Sequence, residues 1–258
     1  MSPQPRKAPL APAPPPPSTA PRRPLWRWLR FAVVAILLVL LIPYALVPLY
    51  RVVDPVSTLM LWRHAKGARV ERTVVPIERI DPGLPRAVVA AEDASFCTHH
   101  GIDLRQVREA VVKADGIAEA RGGSTITQQL AKNLFLWQGR SFVRKGLELP
   151  LALWIDLVIP KRRQIEIYLN VVEWGPNGEF GAEAAARRAF GKSARQLTPQ
   201  EAALLAATLP NPVRRNPRQP GPGLRRLTGI YMTRAASEKL DACIRTKTAQ
   251  APHRVSGG

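Results

Sequence analysis

The sequence predicts a mainly α-helical domain held behind one N-terminal transmembrane helix, and three observations carry that prediction. Residues 31–50 (FAVVAILLVLLIPYALVPLY) contain no charged side chain. Beyond residue 52, strand-like alternation is scarce, while helix caps and stops recur along the chain. No repeat of about 20–50 residues is visible, so the helices read as one packed domain rather than a solenoid.

The elements follow in order. Ten of the first 24 residues are proline, including Pro14 to Pro17. Proline removes backbone donors and resists a packed core, so residues 1–30 are expected to be a disordered, basic cytoplasmic tail. A helix over residues 31–50 is about 30 Å long, which matches the hydrocarbon core of a bilayer. A cleaved signal peptide has a shorter apolar region and a small-residue cleavage site that this segment lacks, so an uncleaved anchor is favoured. Trp26 and Trp28 lie among Arg22, Arg23, Arg27 and Arg30, the mixture expected at a cytoplasmic headgroup interface. Arg51, Arg63 and Lys66 weaken that asymmetry, yet the expectation is N-terminus in and bulk out.

Helices are expected over 84–92, over 103–114 with Asp103 as cap and Gly116 as stop, and over 124–136 after Gly122-Gly123. The apolar run Leu147, Leu149, Leu151, Leu153, Trp154 and Ile155 is too short and too flanked by charge for a second span, and reads as a core helix. Thr198-Pro199-Gln200-Glu201 is a capping box with proline at the first helical position, opening an Ala/Leu-rich helix that closes at Pro210. A basic last helix is expected over about 224–246.

The chain carries 38 Lys+Arg against 19 Asp+Glu, a formal charge of +19, and seven of the basic residues precede the first acid, Asp54. The remainder is therefore basic in its own right and seeks anions. A membrane span and the lack of aromatic-interleaved basic stretches argue against nucleic acid. Cys97 and Cys243 could pair, but two widely spaced cysteines do not make a disulfide framework.

Chemistry concentrates in a few segments. Glu92-Asp93-Ala94-Ser95-Phe96-Cys97-Thr98-His99-His100-Gly101 sets two carboxylates before an aromatic, two imidazoles and a glycine, a pattern suited to proton transfer. Gly122 to Asn133 (GGSTITQQLAKN) places hydroxyls and amides on the first turns of a helix whose N-terminus favours an anion. Arg144 and Lys145 precede Glu148 by four and three residues; an ordinary intrahelical ion pair, worth about 0.3–0.5 kcal/mol, accounts for them without function. Glu166 and Asn170, also one turn apart, read as caps or bridges between helices.

The order of these motifs resembles the biosynthetic peptidoglycan glycosyltransferases, in particular the monofunctional membrane-anchored transglycosylases. The matching pieces are EDASFCTHHG (92–101), GGSTITQQLAKN (122–133), RKGLE (144–148), KRRQIEIYLN (161–170) with WGPNG (174–178), and LTPQEAALLAATLPNP (197–212), together spanning roughly residues 75–220. The same domain occurs fused to a transpeptidase, but this chain has no S-x-x-K motif, so the monofunctional form is expected.

The resemblance implies a lysozyme-like helical glycosyltransferase domain at 51–220, with a basic C-terminal helix and tail at 221–258. It implies elongation of glycan strands from lipid II, with a lipid-linked growing glycan as donor, inversion at the donor carbon, and release of a lipid diphosphate. By position Glu92 takes the general-base role, with Asp93 beside it. Lys132, Arg140, Arg144 and Lys145 are the candidates for holding the diphosphate. Ser124, Thr125, Gln128, Gln129 and Asn133 would line the sugar and phosphate cleft. Glu148 takes the place of a second acidic residue, either a ligand for a divalent metal (Mg2+ or Mn2+), the one candidate cofactor, or an organiser of the cations. Cys97 and His100 occupy variable positions and receive no role. Implied partners are lipid II, the growing glycan, the bilayer and other cell-wall synthesis proteins; the implied place is the bacterial inner membrane, single-pass, with a periplasmic catalytic domain. Two rivals remain: a lysozyme-like lytic transglycosylase or muramidase that cleaves glycan, and a non-catalytic basic scaffold.

Overall fold

A computed structural model of the protein describes residues 25–113, 123–139 and 141–245. The expected tail, Gly116, Gly122 and Arg140 lie wholly or mostly outside the described residues. The chain forms two compact units divided between Leu41 and Ile42. The first holds most of α1 (Leu25–Leu46), an apolar helix long enough to cross a membrane. It begins six residues before the expected 31, and from Val47 to Arg51 the chain tightens into a 3-10 turn.

The second unit is mainly helical, and among its described residues the strands are two short parallel pieces, β1 (Glu71–Arg72) and β2 (Glu179–Phe180). Its helices are α2 (Thr58–Ala65), α3 (Gly83–Glu92), α4 (Leu104–Lys113), α5 (Ile126–Phe135), α6 (Phe142–Val158), α7 (Lys161–Val171), α8 (Ala182–Phe190), α9 (Pro199–Thr208) and α10 (Pro222–Ala235). Caps mark the boundaries that the sequence signals. Thr198 Oγ accepts from Glu201 N and Glu201 returns the bond, the reciprocal pair that satisfies two orphan donors of α9. Asp103 Oδ1 accepts from Arg105 N and Gln106 N and so caps α4. The last expected helix is corrected: α10 stops at Ala235, and a separate 3-10 turn, Glu238–Asp241, follows.

Two groups of helices pack together in this unit. In one, α9 contributes Ala202, Ala203, Ala206 and Ala207, all buried, and these small side chains let α3 and α10 approach it closely. In the other, α5 packs on α6 and α7. Most of α7 is buried, from Ile165 through Val171, except partly exposed Glu166. Its Asn170 side chain makes both hydrogen bonds to the Val75 backbone, and Glu166 Oε2 accepts from Ile77 N, so this pair bridges α7 to the segment before α3, as the spacing suggested. The end of α3 and the start of α5 meet where the two groups join.

The loop after α3 is held from several sides. Phe96 is fully buried, worth roughly 1.5–3 kcal/mol, and Lys161 Nζ lies 4.6 Å from its ring centroid. Gly101 has φ +79°, and a Cβ there would sit 2.6 Å from the Ala152 carbonyl oxygen, so loop and α6 touch backbone to backbone. Cys97 and Cys243 are joined by a disulfide across 146 residues. A loop of that length stabilises by about 5 kcal/mol in the chain-entropy account.

The helix α6 corrects the expectation of a core helix on one side only. Leu151, Ala152 and Ile155 are buried, whereas Leu149, Leu153 and Leu157, at four-residue spacing, face outward with Phe142 and Val143. Val52, Val53, Leu61, Trp62 and Trp137 are exposed as well, but Leu134 and Leu136 are core residues.

Candidate active site

Glu92 is the last residue of α3 and partly exposed where the two helix groups meet. Its Oε2 accepts from Gln129 Nε2 at 2.9 Å. Burial raises its pKa above the ordinary glutamate range; the Gln129 hydrogen bond and the charges of Lys132 and Arg215 pull the other way, and the Asp93 charge adds to the rise. A partly exposed carboxylate that is held by one donor and has a raised proton affinity is equipped to accept a proton.

Asp93, one residue on, is turned inward. It is 2 % exposed, and its Oδ2 accepts from Ile126 N at 2.9 Å and pairs with His99 Nε2 at 2.8 Å. A carboxylate at a helix N-terminus satisfies an orphan N–H and meets the positive end of the dipole. Asp93 therefore positions α5, and of the two adjacent carboxylates the one left partly exposed is that of Glu92. His99, the buried imidazole, serves this anchor, while exposed His100 lies 3.7 Å from Asp156.

The helix α5 divides the polar residues expected at the cleft. Thr125 and Gln128 form a capping box and are buried, with Thr125 Oγ1 also donating to the Gly101 carbonyl at 2.6 Å. They hold the helix start and do not line a cleft. Gln129, Lys132 and Asn133 are partly exposed, and Gln129 faces Glu92. The Lys132 pKa is lowered, first by burial and then by Arg144, with Glu92 acting against both. Asn133 meets α2 through its carbonyl, which accepts from Thr58 Oγ1.

Ser141 caps α6, whose first turns build a cation cluster. Buried Glu148 pairs with Arg144 and accepts from Lys145 Nζ at 3.0 Å, while Lys145 also donates to Ser124 Oγ at 3.0 Å. Burial lowers the pKa of both cations, and for Lys145 the charges of Arg144 and Lys132 lower it further. Lys132, Arg144 and Lys145 are thus three mutually repelling cations, two of them paired with Glu148 and the third acted on by Glu92, a set whose repulsion an entering anion would relieve.

Glu148 does not fit a protein-built metal site. Both its oxygens are engaged by cations, and the described residues hold no group of three His, Cys, Asp or Glu side chains that could surround an ion. Glu148 is instead an ion-pair partner of both Arg144 and Lys145.

The site also contains two residues that the sequence reading passed over. Tyr168 of α7 donates from its hydroxyl to Gln129 Oε1 at 2.8 Å. Arg215, just past the LPNP segment, acts on Glu92 through its charge and donates to the Ala207 carbonyl. A phenol among the apolar residues Ile165, Ile167 and Leu169 and a cation shortly after a proline loop were the available signals.

The sequence profile of the transglycosylase family matches residues 60–234, which takes in every residue of this site. The chain belongs to the transglycosylase family. It is 59% identical over 213 residues to a protein of Nitrobacter hamburgensis, covering 83% of this chain and 94% of that one. It is 58% identical over 220 residues to a protein of Rhodopseudomonas palustris, covering 85% and 97%. A protein of Agrobacterium fabrum is 49% identical over 205 residues, covering 79% and 90%. All three are named biosynthetic peptidoglycan transglycosylase.

In this transglycosylase the two adjacent acids predict opposite stability effects. The folded-state pKa of Glu92 is raised, so folding is least opposed in acid and loses stability as pH climbs from the ordinary glutamate range through the raised value. Glu92→Gln is expected to match the wild type in acid and to melt at least as high at neutral pH. Asp93→Asn removes the charged acceptor of Ile126 N and is expected to lose about 2–3 kcal/mol. Thermal melts across pH check both, and a reversed ranking at neutral pH contradicts the division of roles.

Proposed function

We propose that this enzyme is a peptidoglycan glycosyltransferase that elongates glycan strands from lipid II. The observation that carries the reading is one partly exposed carboxylate, Glu92, acted on by Lys132, which in turn lies in the field of Arg144, itself paired with Glu148 alongside Lys145. The acceptor 4-hydroxyl gives its proton to Glu92 as its oxygen bonds to the donor's anomeric carbon. The bond from that carbon to the lipid diphosphate breaks on the opposite face, with inversion. The departing diphosphate is stable as an anion, so it needs cations and no proton. Lys132, Arg144 and Lys145 supply them, with Arg140 as a further candidate. Ser124 and Asn133 border the sugar and phosphate path.

A muramidase is disfavoured on the same geometry. Cleaving a sugar–sugar bond takes a protonated acid at the leaving oxygen and, in most such enzymes, a second carboxylate, and it has no use for the Lys132, Arg144 and Lys145 cluster. Here Asp93 is spent on α5 and Glu148 on the cations.

The anchor sets the enzyme at its lipid-linked substrates, where encounter in two dimensions raises effective concentration. The N-terminus is read as cytoplasmic and the domain as periplasmic at the inner membrane. The arginines before α1 support this, as does the Cys97–Cys243 disulfide, which persists in an oxidising compartment. The exposed apolar side chains of α6 and of residues 52–62 are read as dipping into the bilayer interface.

Full-length protein given lipid II is expected to produce lengthened glycan and free lipid diphosphate, with or without EDTA. Glu92→Gln is expected to cut the rate by about a hundred-fold or more. Elongation by Glu92→Gln at the wild-type rate, or shortening of finished glycan, contradicts the reading. For the membrane face, a chain lacking the anchor helix is expected to bind anionic vesicles about ten-fold less tightly once Trp62, Trp137 and Phe142 are changed to serine. Undiminished binding in a vesicle pull-down contradicts it.

A further inference from the structure

Tyr168 is 1 % exposed, with its ring in the core of α7. A phenol in such a place needs a partner for its hydroxyl, and this one reaches out of its own helix to Gln129 Oε1 on α5, 2.8 Å away. The same amide gives its Nε2 to Glu92 Oε2 at 2.9 Å. A carboxylate can only accept, so the amide must turn its NH2 to Glu92 and its oxygen to Tyr168. The donor chain then runs one way, from Tyr168 through Gln129 to Glu92, and each bond polarises the next.

We infer that Tyr168 is a positioning residue for Glu92, acting through Gln129 to hold the carboxylate in place and to favour its ionised form. This rests on the reading of Glu92 as the base that takes the acceptor proton. Burial first, then the charges of Glu92 and Asp93, push the Tyr168 pKa well above the ordinary phenol value, so the hydroxyl remains a donor over the working range. Without it, Gln129 Oε1 would face the protein interior unpaired, and the amide would be drawn away from Glu92. The other charged groups facing Glu92 come from different elements. They are Asp93 beside it, Lys132 on α5 and Arg215 after α9, with Arg144 of α6 acting on Lys132. None of them bonds to Tyr168, so replacing Tyr168 leaves their fields in place.

The test is the pH dependence of lipid II elongation by the full-length protein, wild type against Tyr168→Phe, with thermal melts to check folding. The ionisation limb of the variant is expected to move up by about one pH unit. The rate should be depressed at low pH and recover toward wild type as pH rises. Gln129→Leu is expected to shift the limb in the same direction, and the double variant to shift it no further than Gln129→Leu alone. A uniform loss of rate with an unmoved limb, as from a packing defect, overturns the inference, and so do additive shifts. Should Tyr168→Phe fail to fold, Gln129→Leu at its partly exposed position decides, and an unmoved limb there overturns the inference too. Glu92→Gln run in parallel separates the two ideas. If it is inactive and the Tyr168→Phe limb is unmoved, the positioning role alone is lost; if it stays active, the base assignment fails and takes this inference with it.

Discussion

The hydrogen bond from Ile126 N to Asp93 Oδ2 joins the end of α3 to the start of α5, and the placing of every other group at the site depends on it. It adds a directional link between two helix groups whose apolar side chains already share one core. Once the α5 N-terminus is set, Gln129 falls about one turn and Lys132 nearly two turns further along, both acting on Glu92 at the end of α3. The loop directly after α3 is tied to different parts of the domain by Phe96, Gly101 and the disulfide.

Three acids in this arrangement have three fates, set by what surrounds them. Asp93 is saturated by a backbone N–H and an imidazole, Glu148 by two cations, and Glu92 is left with one amide donor and a raised proton affinity. Carboxylates of similar intrinsic acidity are thereby sorted into a helix anchor, an ion-pair partner of two cations and, on the proposed function, a proton acceptor. The cations are sorted as well. Lys132, Arg144 and Lys145 are partly desolvated and repel one another, which is costly in the free enzyme and is offset when an anion arrives. On the proposed reading, affinity for the lipid diphosphate comes from relieving that repulsion.

Much of this was legible in the sequence where the signal is local. The Thr198–Glu201 capping box, the Asp103 cap and the i, i+4 pair of Glu166 and Asn170 were placed by spacing alone. Thr125 and Gln128 have the same spacing as Thr198 and Glu201, and the same rule would have assigned them to a cap rather than a cleft. What was not legible depends on distant partners or on the choice of solvent. Tyr168 and Gln129 lie 39 residues apart, and the two cysteines 146 apart, so their pairing exists only in the fold. The outer stripe of α6 reads as core because exposed apolar side chains and buried ones look alike in sequence.

On the proposed mechanism one ionised carboxylate, with cations and no general acid, suffices for the reaction. Its most direct test is the pH–rate profile of elongation from lipid II under single-turnover conditions. The account predicts a single rising limb, with an apparent pKa above the ordinary glutamate range, and then a plateau to about pH 8. A bell-shaped profile with a falling limb between about pH 5 and 8 would mean that a protonated acid is needed, and would contradict the account.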